Sequence, residues 1–148
     1  MSESITLDES VDEALVETLE GMAFTDVERV SDGDLGELAE SALWARIDIT
    51  EPSAGELVLL VGEELAIELE EATTGEADSD PAVRLEVLGE MLNTLAGSWA
   101  RMLSPDGSPI ELGLPKVGQG DWAGGAEYVL AIFETDDEER IALALRRG

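Results

Sequence analysis

The sequence predicts an α+β domain, with helices laid on an antiparallel or mixed sheet. Three observations carry this. Apolar residues recur at helical spacing over 8–22, 63–75 and 82–103. Runs of strand length fill the intervals between those segments. The order is one helix, strands, two helices, strands. With no internal repeat and no dividing linker, the 148 residues make a single domain, 1–148, with 1–7 as a flexible N-terminus.

Each element has its own signal. Residues 8–22, "DESVDEALVETLEGM", open on Asp and Ser cap candidates and an acidic first turn, and Val11, Leu15, Val16 and Leu19 form the stripe. "FTDVERV", 24–30, has the length of a short strand, and "SDGDLGE" after it reads as a loop. In "ALWARIDIT", 42–50, Leu43, Ala45, Ile47 and Ile49 alternate with Trp44, Arg46 and Asp48, the period of a strand. "EPSAG" is turn chemistry, so the following "ELVLLVG", 56–62, pairs back as a hairpin. "EELAIELEEATTG", 63–75, is an acidic amphipathic helix closing at Gly75. "EADSDP" is a loop whose Pro81 suits the first turn of the next helix, 82–103. "SPDGSP" breaks that helix. Three strand-length runs follow, "IELGLPKV", "AEYVLAIFET" and "ERIALALRR", the last two joined by the turn "DDEE". "GQGDWAGG" reads as a flexible loop without the spacing of a phosphate-binding loop.

Composition then excludes whole classes of function. The chain has neither Cys nor His. Thiolate nucleophiles, disulfides, Ser–His chemistry and His- or Cys-ligated zinc or haem are all excluded. Any catalysis rests on carboxylates, amides, hydroxyls, backbone or a borrowed metal. Against 35 acidic residues stand 8 basic ones, with Lys116 the single lysine, for a net charge of −27. Such a surface repels nucleic acid and anionic membranes. It fits either a salt-adapted source or a generally acidic surface. No apolar stretch approaches a membrane span, and "MSESITLDES" lacks the basic and apolar parts of a signal peptide, so a soluble cytoplasmic protein is expected.

The segment "VLGEMLNTLAGSW", 87–99, poses a question. It holds the single Asn of the chain, Asn93, and a Gly, both weak helix formers. At 100° per residue, Leu85, Leu88, Leu92, Leu95, Ala96, Trp99 and Leu103 share one side, which is core. Glu86, Glu90, Asn93, Gly97 and Arg101 share the other. Glu90 and Asn93 are i, i+3 neighbours, and Gly97, one turn on, removes a side chain where another backbone could approach. Glu and Asn on a polar helix face are most often simply solvated, and Gly97 could equally serve helix–sheet packing.

Glu90-x-x-Asn93-x-x-x-Gly97 resembles the signature helix of the CheX/CheC chemotaxis phosphatases. "GEMLNTLAGSWARMLSPDGSPIELGLPKV", 89–117, is similar to the CheX pattern of helix, break and "LP" strand. "ETLEGMAFTDVE", the central hairpin and the final "FET" hairpin extend the resemblance over roughly 8–146. One Asn allows one site, which favours the CheX type over CheC with its two copies. Ser98 stands where many members have a second Asn.

The resemblance implies long helices packed on a curved, mostly antiparallel sheet and a homodimer. It also implies dephosphorylation of a phosphoaspartate on a CheY-like receiver domain. Asn93 would hold the attacking water and Glu90 would dock a Lys of the partner, making these two the catalytic residues. Glu86 and Gly97 would belong to the docking surface. The protein would need no cofactor or metal of its own, since the partner supplies Mg²⁺. An acyl phosphate has a loose transition state, so positioning matters more than a strong base. A neutral amide suits that task where a carboxylate would be repelled. Two other readings stand beside this one: a non-catalytic receiver-binding adaptor of the same fold, and a carboxylate-pair hydrolase unrelated to phosphotransfer.

Overall fold

The computed structural model describes residues 9–23, 25–30, 42–51, 54–76, 80–104, 106–120, 128–136 and 138–147. Within them the elements follow the expected order: α1 (Glu9–Ala23), β1 (Val27–Arg29), β2 (Leu43–Glu51), β3 (Gly55–Val61), α2 (Glu63–Thr74), α3 (Pro81–Leu103), β4 (Glu111–Leu112), β5 (Lys116–Gln119), β6 (Tyr128–Thr135) and β7 (Arg140–Arg147). The expected flexible N-terminus and the "SDGDLGE" loop lie outside the described residues, as do parts of the "EPSAG", "EADSDP" and "GQGDWAGG" segments.

The strands form one sheet in the order β1-β6-β7-β3-β2-β4, with β5 also on β2, and every pairing among the described residues is antiparallel. Both expected hairpins are present, β2–β3 and β6–β7. The run "IELGLPKV" is not one strand. It splits into β4 and β5, which follow one another along the same edge of β2. Between them the Gly113 N–H donates to Asp48 O at 2.8 Å, and Pro115 has no N–H to continue a ladder. The register of β2 slips between Ile49 and Glu51, where β4 pairs. β5 in turn takes Gly118 and Gln119 from the expected Gly-rich loop, because Gly118 lies under the Trp44 indole, where a Cβ would collide. β1 is also shorter than the 24–30 run, pairing with β6 only over Val27–Arg29.

The sheet separates two apolar layers. Leu43, Ala45, Ile47 and Ile49 of β2 and Leu57, Leu59 and Val61 of β3 face the helices. Val58, Leu60, Ile132, Ala142 and Ala144 form a second buried cluster on the opposite face. β3 is therefore buried on both sides, which is why "ELVLLV" is a continuous apolar run and not an alternating one.

α2 closes at its expected glycine, whereas α1 runs through Gly21, a plausible stop by sequence, to Ala23. Gly75 takes φ 95°, and its N–H reaches Glu71 O at 2.9 Å. Asp80 caps α3 by accepting the Ala82 N–H at 3.0 Å, with Pro81 in the first turn. Beyond α3, Asp106 accepts from the Ser108 hydroxyl at 2.6 Å and from its N–H at 3.1 Å, and both hold its carboxyl below the usual carboxylate range. The buried stripe of α3 is broader than expected. Val87, Gly89, Met91 and Ala100 are buried too, while Leu85 and Leu103 are only partly so. The reason is that α3 packs against α1, α2, β2, β3 and β5, leaving a single narrow strip of its surface to solvent.

Candidate functional site

That strip is the ridge of α3. Glu86, Glu90, Asn93 and Arg101 are exposed on it, and Gly97 is half-buried between the last two. A pitch of about 5.4 Å places Glu86, Glu90, Asn93, Gly97 and Arg101 at successive turns. The helix brings together all four residues singled out in the sequence, Glu86, Glu90, Asn93 and Gly97, because their spacings of three and four follow its period.

The ridge is held by contacts on both flanks. On one side the Trp99 indole, fully buried, donates to Ser10 Oγ of α1 at 3.0 Å. Ser98 turns toward α1 as well, its hydroxyl 3.4 Å from Glu17 Oε2, so the residue in place of a second Asn does not face outward beside Asn93. On the other flank Gly89 is buried against β5. A Cβ at Gly89 would come within 3.1 Å of Val117 Cγ1 and 3.9 Å of Pro115 Cβ. Helix–sheet packing is thus the work of Gly89, which the sequence reasoning passed over. Its signal was a second Gly inside the same helix. Gly97 has no such role, since a Cβ there would meet only Arg101 Nη1, at 3.6 Å. At its N-terminal end α3 is tied to α2 by Arg84, whose Nε lies 3.3 Å from Oε1 of the fully buried Glu70.

Against this framework the ridge side chains are unengaged. Among the described residues, neither Glu90 nor Asn93 makes a hydrogen bond or ion pair with another part of the chain. Asn93 therefore keeps its amide oxygen and NH₂ available, an acceptor and two donors, to an incoming molecule. Glu90, one turn away, offers a solvated carboxylate. No three acidic residues among those described converge as they would on a metal ion. No helix among them is long and apolar enough to cross a membrane.

Comparison with known proteins bears on this arrangement. The family described as chemotaxis phosphatase CheX matches residues 43–126, which run from β2 through α3 and β5 to just before β6. No curated protein matches the sequence. Among the solved structures that share the fold are three CheX proteins. The chemotaxis protein CheX of Vibrio vulnificus superposes with a TM-score of 0.79 at 16% identity, covering 95% of each chain. CheX of Desulfovibrio desulfuricans gives 0.79 at 18%, over 95% of this chain and 97% of its own. CheX of Borrelia burgdorferi, in a complex with CheY, BeF₃ and Mg²⁺, gives 0.75 at 16%, over 97% of this chain and 100% of its own. With more than half its length matched by the family and its fold shared almost end to end, the chain belongs to the CheX chemotaxis phosphatase family.

Proposed function

We propose that this protein hydrolyses the phosphoaspartate of a CheY-like receiver domain, with the α3 ridge as the inserted element. The observation that carries the reading is the pairing of Glu90 and Asn93. They are adjacent, exposed and without partners among the described residues, on a helix held from both flanks. Family membership and the CheX–CheY complex from Borrelia burgdorferi support a receiver as the partner.

In this mechanism the Asn93 amide holds a water in line with the aspartyl P–O bond. The water oxygen bonds to phosphorus as that P–O bond breaks. Aspartate is regenerated as a carboxylate, and the water's proton leaves with inorganic phosphate. No strong base is required, because charge in the loose transition state lies on the phosphoryl oxygens. The partner's own Mg²⁺ and Lys neutralise that charge. The chain's contribution is position, which alone can account for several powers of ten in rate. Glu90 pairs with the partner's Lys and fixes the register. Glu86 extends the negative end of the ridge by one turn. Gly97 keeps the ridge low beside Asn93, where the partner's surface passes next to the Arg101 side chain.

The deciding measurement is the decay of a phosphorylated CheY-type receiver with and without the protein. We expect acceleration that is catalytic in the protein. An unchanged decay rate accompanied by measurable binding would assign the fold to receiver docking without chemistry.

A further inference from the structure

The described basic side chains divide sharply. Arg29 meets Asp12 at 2.6 Å, Arg84 meets Glu70 at 3.3 Å, and Arg140 meets Glu134 at 3.4 Å. Arg46 and Arg146 share Glu56 at 3.9 and 3.6 Å. In a chain with 35 acidic residues and 8 basic ones, such pairing is what chance encounter and attraction both favour. Among the described side chains, Arg101 and Lys116 alone lack an ion pair. Lys116 lies in a surface hollow with Arg46, Asp48 and Glu56 on the far face of the sheet. Arg101 stands on the α3 ridge itself.

Its placement there is specific. Helical side chains lean toward the N-terminus, and the Arg101 guanidinium accordingly lies back over Gly97, toward Asn93. The missing side chain at Gly97 is what gives it room. The ridge is thereby charged oppositely at its two ends. Glu86 and Glu90 are negative, Asn93 and Gly97 are neutral, and Arg101 is positive, with the backbone positions of Glu90 and Arg101 about 16 Å apart along the axis.

We propose that Arg101 is the second point of docking and a determinant of receiver specificity. It pairs with an acidic side chain on the partner's surface, beside and not within the phosphorylated pocket. The reading rests on the receiver-docking role of the ridge. The backbone positions of Asn93 and Arg101 lie about 12 Å apart along the axis, a separation that suits contact beside the pocket Asn93 enters. A planar, bidentate guanidinium suits a carboxylate at a fixed orientation. Together, Glu90 on a partner cation and Arg101 on a partner anion admit one docking direction and reject the reverse. A receiver without a carboxylate at that distance is a poor substrate.

The test compares the unmodified protein with Arg101→Glu and Arg101→Lys. Affinity is measured for the receiver in its Mg²⁺-only and its beryllofluoride-loaded forms, and KM and kcat are measured separately. Arg101 is exposed and has no ion pair among the described residues, but it lies in the last turn of α3, so Arg101→Lys should leave the thermal unfolding midpoint unmoved and Arg101→Glu should lower it slightly. We expect Arg101→Glu to raise Kd for both receiver forms and KM about tenfold, with kcat within twofold. Arg101→Lys should recover much of the loss. Reversing one acidic residue on the receiver to Lys should rescue Arg101→Glu. Unchanged affinity overturns the assignment, and so does an effect confined to the loaded receiver or to kcat. If the unmodified protein binds the receiver without speeding its decay, the phosphatase reading falls while the Kd comparison still decides Arg101. If it binds neither form, both fall.

Discussion

The first turn and the middle of α3 use the same residue types in opposite ways. At its beginning Arg84 reaches a fully buried glutamate, Glu70, and ties α3 to α2. Two turns later Glu90 stands in solvent beside Asn93 with no described partner. Polar groups that serve the fold are satisfied inside it, because an unpaired charge in the interior is costly. Groups left unengaged on an immobilised helix carry no such duty, and their cost is low only because water satisfies them. The contrast separates stability from function along a single element.

The contrast breaks most visibly at Arg84. Arg84→Met should leave Glu70 buried without its cation and cost about 3 kcal/mol or more, read as a lower urea midpoint. A loss below about 1 kcal/mol would mean that the pair contributes little to holding α3. On the ridge the prediction inverts. Asn93→Ala should reduce receiver turnover about 100-fold. The same change should raise stability by a few tenths of a kcal/mol, since Ala is the better helix former. A folded Asn93→Ala protein with normal turnover rules out the positioned-water mechanism.

Glu90→Gln sharpens the comparison further. It should weaken receiver binding by about 1.5 kcal/mol with folding stability unchanged. A double-mutant cycle against the receiver's active-site Lys measures the coupling, and zero coupling would remove Glu90 from the interface.

The two helical glycines give a smaller and independent contrast. Gly97→Ala meets only Arg101 Nη1, at an ordinary 3.6 Å, and should stabilise by about 0.5–1 kcal/mol while weakening docking. Gly89→Ala brings a methyl to 3.1 Å from Val117 Cγ1, so it should fall short of that gain as β5 is pushed outward. Equal stabilisation at both positions would show that the packing of α3 on β5 is loose.

The smallest expected effect is global. With a net charge of −27, self-repulsion opposes compaction. Thermal stability should rise with KCl up to about 1 M, where the Debye length falls to roughly 3 Å. A flat or falling melting temperature contradicts the repulsion argument. It leaves the Asn93 mechanism standing, since that depends on local geometry.

Much of this molecule is determined by its sequence alone, wherever a local period reports the environment. The alternation of "ALWARIDIT" placed β2, Gly75 and Pro81 marked helix ends, and the spacing of Glu86, Glu90, Asn93 and Gly97 put them on one ridge. What the tertiary structure alone decided depends on neighbours remote in the chain. β4 and β5 are two strands and not one because three residues, Gly113 to Pro115, stand opposite only Ile47 and Asp48 of β2, between the Ile49–Leu112 and Arg46–Lys116 pairs. Gly89 is the packing glycine and Gly97 the open one because β5, brought back by the turn after α3, lies against one flank of that helix. Arg101 has no ion pair among the described residues, and while its charge is plain in the sequence, pairing is a property of distance, which only the fold sets.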